Sequence, residues 1–168
     1  MEFSAILAQF GDAIGMSGLS LDADGSCTLL FDDAHEITFT CDAADRSVLL
    51  YSEVGKASDL REKSDAVRLL SASLLGAQTG GAAFAVHEAM DAVILWKRYD
   101  DCFQDVAGLE KAVNDFLPQV AEWKGRLREH TEEAPSSGEN MMPGGFGMFC
   151  GQPCARGFPL LRDAGYRR

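Results

Sequence analysis

Residues 26–54 read SCTLLFDDAHEITFTCDAADRSVLLYSEV, and the alternation within this stretch decides the fold. Cys27, Leu29 and Phe31 fall on one side of a six-residue run that ends at Asp32-Asp33. Ile37-Thr-Phe39-Thr-Cys41 alternates apolar and polar with period two, the signature of a half-buried strand. Residues 42–46 form an acidic turn, and Val48-Leu-Leu-Tyr51-Ser-Glu-Val54 follows as a third strand. Three short strands joined by tight turns make an antiparallel meander. The first and third are apolar on both faces: Leu30, Leu49 and Tyr51 lie opposite the Cys27/Leu29/Phe31 and Val48/Leu50 sets. Two arrangements account for that pattern. Either helices cover both faces of the sheet, or part of the second face is a groove for an extended peptide.

Upstream, Phe3, Ile6, Leu7, Phe10 and Ile14 recur at helical spacing and are closed by Gly15 and Gly18. Asp22-Ala-Asp24-Gly25 turns the chain into the meander. Downstream, the spacing of Leu60, Val67, Leu70 and Leu74 predicts a helix over roughly 59–75, with Asp59 and Glu62 at capping-box spacing. Gly76, Gly80 and Gly81 end it, and strands are expected at 82–87 and 92–98. Asp105 can cap a last helix carrying Leu109, Ala112, Val113, Phe116, Val120, Trp123 and Leu127. Pro118 lies inside that helix and is expected to kink or split it, because proline removes an amide donor and crowds the preceding turn. The expected fold is α+β, in the order α-β-β-β-α-β-β-α: a twisted antiparallel sheet with three helices.

The composition shifts near residue 133. Residues 1–132 carry 23 acidic and 11 basic side chains, whereas 133–168 carry three and four. The last 36 residues also hold four of the five prolines and seven of the seventeen glycines, a linker-like composition. They nonetheless contain Met141, Met142, Phe146, Met148, Phe149, Phe158, Leu160 and Leu161, more apolar groups than a purely solvated tail needs. The expected organisation is a domain over 1–132 and a Gly/Pro/Met-rich tail over 133–168.

A net charge of −11 with no basic stripe argues against nucleic acid and against an anionic membrane surface. Apolar runs of about five residues fall far short of the ~20 that span a bilayer, and with Glu2 and no apolar run after it no secretory leader is expected. Five scattered cysteines, an odd number, suit a reducing compartment better than a disulfide framework. Cys150 and Cys154 are close enough to share a metal, but no second pair accompanies them. No nucleophile elbow, zinc-protease helix or phosphate loop occurs, and His35, His87 and His130 read as surface residues. Neither catalysis nor a cofactor is expected.

Phe10-Gly-Asp-Ala-Ile-Gly-Met-Ser-Gly-Leu-Ser-Leu-Asp22, Gly25-Ser-Cys-Thr-Leu-Leu-Phe-Asp-Asp33, Leu69-Leu-Ser-Ala-Ser-Leu-Leu-Gly-Ala-Gln-Thr-Gly-Gly-Ala82 and Phe116-Leu117 with Trp123 stand in an order that resembles the class I chaperones of type III secretion, the Tir-chaperone family. The resemblance runs through most of residues 3–128; Trp96-Lys97-Arg98-Tyr99, Pro118 and the long tail depart from it. It implies a small acidic homodimer of the bacterial cytoplasm that holds the N-terminal segment of a secreted effector in extended form, without ATP or chemistry. It also implies a dimer interface around Leu70, Leu74, Val93 and Leu95. The two-sided strands point to Leu30, Leu49 and Tyr51 as partner-binding residues, with Phe3 and Leu7 as a second patch. The other reading is a non-catalytic interaction or regulatory module of the same fold that binds a folded partner.

Overall fold

The computed structural model describes residues 2–42, 46–100 and 103–133. Most of the tail, with Cys150, Cys154 and its apolar cluster, lies outside the described residues, as do Cys102 and the side chain of His130. Among the described residues the elements run α1 (Phe3–Ala13), β1 (Ser26–Phe31), β2 (His35–Asp42), β3 (Ser47–Gly55), α2 (Lys63–Ser73), β4 (Ala83–His87), β5 (Ala92–Asp100) and α3 (Val106–Glu133), with short 3-10 turns around α2 and before β5. The order is the expected one. All five strands pair antiparallel in the sequence β1-β2-β3-β5-β4, which leaves β1 and β4 as the edges.

Local chemistry sets the element ends. The Asp22 carboxylate accepts from the Asp24 and Ser26 amides at 3.0 and 2.8 Å, closing the turn that launches β1. Asp105 caps α3 by accepting from the Gly108 amide at 2.8 Å. The second helix starts four residues later than its apolar spacing suggests. Its cap is Glu62, whose amide donates to the Asp65 carboxylate at 3.0 Å, the capping-box arithmetic moved three residues on. Pro118 does not split α3, which continues through it. Pro118 and Asn114, the residue one turn earlier whose carbonyl goes without its amide, are both exposed, so water can satisfy that carbonyl. Phe116, Val120 and Trp123 stay buried on either side and hold the axis against the sheet.

One apolar core lies between the sheet and the helices. Ile6, Leu7 and Phe10 of α1 meet Leu109, Phe116 and Val120 of α3, above Leu29, Ile37, Phe39, Val48, Leu50, Val93 and Leu95 of the strands. Each fully buried side chain of this kind contributes about 1.5–3 kcal/mol. Only Leu69 and Ala72 of α2 join this core as buried apolar groups.

Candidate partner-binding surfaces

Strand periodicity sends alternate residues to opposite faces, and the register shows which they are. Thr28, Thr38, Tyr51, Trp96 and Ala83 align across the sheet as one row of the face away from the core. Ser26, Thr40, Leu49 and Arg98 form the next row, and Leu30 pairs with Glu36 beyond the first. This outer face has its own small cluster, Tyr51, Ala92 and Ile94 with Leu49 and Trp96, to which no described helix residue contributes. Among the described residues the helices pack on one face, and the second face carries an apolar cluster in which Leu49 and Trp96 are half-buried and Tyr51, Ala92 and Ile94 are buried.

The outer face divides into two zones. Over β1 and β2, Ser26 bonds Thr40 at 2.9 Å and Thr28 bonds Thr38 at 2.8 Å, a ladder of hydroxyl pairs. Over the middle of β3 and β5 the lining is apolar and aromatic, with Glu53, Arg98 and Asp100 around it. Tyr51 joins the zones: burial pushes its hydroxyl's pKa up, while hydrogen bonds with Thr40 and Thr38 pull it down. Leu30 is 50% exposed, Leu49 and Trp96 are half-buried, and Tyr51 is buried.

A second apolar surface lies on α2. Asp65, Leu69 and Ala72 make its buried stripe, and Val67, Leu70 and Leu74 lie on the opposite side. Leu70 and Leu74 are each 67% exposed, and Leu75 is 95% exposed in a left-handed conformation with φ of 55°. The loop that follows is built tightly. A Cβ on Gly76 would lie 2.4 Å from Gly81 Cα, so only glycine closes this turn. Thr79 Oγ1 donates to Ala82 O inside it. Lys97 Nζ of β5 donates to Gly80 O at 2.7 Å, and Trp123 Nε1 of α3 donates to Gln78 O at 3.3 Å. Ser73 Oγ accepts from the Phe84 amide at 3.1 Å, tying α2 to β4, where Val86 adds to the exposed apolar surface.

The sequence-based residue sets divide between surface and core. Leu30, Leu49 and Tyr51 all lie on the outer face, Leu30 exposed, Leu49 half-buried and Tyr51 buried. Phe3 and Leu7 do not form a surface patch: both are buried where α1 meets the core, and Phe3 packs near the Phe103 ring. Leu70 and Leu74 are available to a second chain, whereas Val93 and Leu95 are fully buried on the helix-facing side of β5. Strand parity explains this, because Val93 and Leu95 share the core face with Leu50 and Val48 while Ile94 and Trp96 take the outer one. The same parity could have added Ile94 and Trp96 to the outer-face set. Leu75 carried no signal, since nothing in its type announces a left-handed, exposed leucine. Among the described residues no group of three or more His, Cys, Asp or Glu side chains is arranged to hold a metal, and no helix is long and apolar enough to cross a membrane.

Comparison with known proteins gives a family match. The family model described as Tir chaperone protein (CesT) family matches residues 5–124. No curated protein sequence matches the chain. Among solved structures, the HopA1–SchA chaperone–effector complex aligns with a TM-score of 0.61 and 20% identity, over 73% of this chain and 93% of that one. The ExsC–ExsE complex aligns with a TM-score of 0.64 and 24% identity, over 76% and 97%. The Yersinia pestis type III secretion chaperone SycH, in complex with a fragment of YscM2, aligns at 0.57 and 14%, over 73% and 99%. At these identities the structural likenesses establish the fold.

Proposed function

The chain belongs to the Tir chaperone protein (CesT) family, and from that premise we propose that it is a type III secretion chaperone, which binds the N-terminal segment of one or a few effectors and keeps them competent for export from the bacterial cytoplasm. The observation that carries the reading is the one-sided sheet. Its outer face offers Leu30, Leu49, Tyr51 and Trp96, and β1 is an edge strand. An extended segment can lie across this face with alternate side chains on Leu49, Tyr51 and Trp96, and can reach the β1 edge beside Leu30. A partner held unfolded loses chain entropy, so broad apolar contact is needed to offset the ordering. The surrounding acid favours a partner segment with basic residues.

We also propose that the protein is a homodimer, joined through the outward stripe of α2. Val67, Leu70, Leu74 and Leu75 form a contiguous run of exposed apolar side chains that the monomer does not use. A twofold arrangement would bury the same stripe from both copies. Lys97 and Trp123 fix the loop beside this stripe, so the surface is held in place before a second copy arrives.

The test is capture of bound protein from the native bacterium with tagged wild type and with Leu30→Asp and Leu49→Asp variants that keep their circular dichroism. The expected captured protein appears in the type III secreted fraction, binds through its N-terminal region on truncation, and is lost from the variants. A captured protein that is never secreted and binds only when folded would overturn the reading in favour of a regulatory module.

A further inference from the structure

The outer face carries more acid than base: Glu36, Asp42, Glu53 and Asp100 share it with Arg98, whose Nε is held by Asp100 at 2.9 Å. Residues 134–168 have the opposite character. They hold Arg156, Arg162, Arg167 and Arg168 against Glu139 and Asp163, interspersed with Phe146, Met148, Phe149, Phe158, Leu160 and Leu161. That is the chemistry an acidic surface with an apolar row would select.

The end of α3 delivers this segment to the right place. Leu127 packs where a Cβ on Gly55 would lie, 3.1 Å from its Cδ1, and Lys124 Nζ donates to Ala34 O at 3.0 Å. The chain therefore leaves α3 at the end of the sheet formed by the β1–β2 turn and the end of β3. Leu30, Glu36 and Glu53 occupy the outer face at that same end. A Gly/Pro-containing span from 133 to 146 has a root-mean-square reach of roughly 20 Å. Five strands at ~4.8 Å spacing are about 19 Å across. Tethering over such a span gives an effective concentration on the order of millimolar, enough for a weak contact to be largely occupied.

We propose that residues 141–168 of the chain's own C-terminal segment occupy the outer face of the sheet and are displaced when a partner binds. This rests on the outer face being the partner site. The segment acts as a placeholder that shields the apolar row and sets a threshold for partner affinity.

The experiment uses the full chain with no partner present. A photoreactive benzoylphenylalanine replaces Phe146, or Phe158 in a second preparation, and the products are separated by mass and mapped. The expected result is cross-linking within one chain to peptides 26–31, 47–55 and 92–100. Leu30→Asp, at an exposed position that leaves the core intact, should lower that yield to about half, because a ~10-fold fall in the contact's equilibrium constant, that for losing most of a leucine contact, takes a largely occupied site to near half occupancy. Cross-links confined to 63–76, links formed only between chains, no cross-link, or a yield unchanged by Leu30→Asp would each overturn the proposal. Failure of the chaperone reading would instead appear in the capture experiment, which identifies the partner and does not depend on where the tail lies.

Discussion

Replacing Leu70 with aspartate separates two roles that a helix can have for adjacent leucines. Leu70 is 67% exposed in the monomer and Leu69 is 3% exposed, although they are neighbours in sequence. In the isolated protomer Leu70→Asp removes little buried area, and a surface change of this kind falls within about 0.5 kcal/mol. If the α2 stripe is the dimer interface, two-thirds of that side chain becomes buried on association, about 1–2 kcal/mol per copy. A twofold interface counts the loss twice, roughly 2–4 kcal/mol, before the cost of desolvating two carboxylates. The dimer dissociation constant should therefore rise at least ~30- to 1,000-fold. Light scattering across a micromolar dilution series should find wild type at twice 18.1 kDa and Leu70→Asp at 18.1 kDa with unchanged circular dichroism. Leu69→Ala should do the reverse, losing about 2–5 kcal/mol of stability in each protomer through a core cavity. A Leu70→Asp protein that keeps the double mass, or a wild type that is monomeric throughout, would refute the assignment of the stripe. An unfolded Leu70→Asp beside a fully stable Leu69→Ala would refute the orientation of the helix.

Three further outcomes follow from Leu75, Lys97 and Tyr99. Leu75→Gly should stabilise the monomer by up to about 1 kcal/mol in thermal melts, since a left-handed backbone costs a leucine more than a glycine, yet weaken association if the stripe is the interface. Lys97→Met keeps the aliphatic stem but loses the donor to Gly80 O, so amide exchange should quicken by about tenfold in residues 74–82 and little elsewhere. Tyr99 has a buried hydroxyl with no hydrogen-bond partner among the described residues, and burial pushes its pKa up to about 12. Because the folded value lies above the ordinary value of 10, stability is fully present below pH 10 and falls as pH rises through 12. Tyr99→Phe should flatten that decline and leave neutral-pH stability equal or slightly higher; a loss of more than about 1 kcal/mol at neutral pH would show that the hydroxyl is bonded.

Much of the fold was legible because its signals are local and redundant. Alternation in 26–54 placed three strands within a residue or two of their ends, and Asp105 marked the start of α3. The second helix was harder for a physical reason. Its most regular apolar spacing, Val67-Leu70-Leu74, belongs to the exposed side, whereas the buried side consists of Asp65, Leu69 and Ala72. Periodicity reports that a stripe exists, not which way it faces. Phe3 and Leu7 were assigned to a surface for the same reason, since an amphipathic helix turns its apolar side to whatever is apolar nearby, and here that is α3. The outer face was visible as a double-sided pattern in β1 and β3, but its continuation onto Ile94 and Trp96 needed the register that brings β5, not β4, beside β3.

The sheet's open edges also govern how concentrated preparations should age. β1 has six residues and β4 has five, so each edge offers a short template for stacking. On β1 two of the three outer-face side chains, Ser26 and Thr28, have hydroxyls already engaged with Thr40 and Thr38, which leaves Leu30 alone to contribute to a dry zipper above the edge. Asp32 and Asp33 close the strand in left-handed conformations that an extended neighbour cannot follow. Short edges, occupied hydroxyls and acidic turns are the features by which native sheets resist end-to-end growth. Crowding should therefore leave dimers joined through the leucines of α2, which dissociate on dilution, and not fibrils that persist.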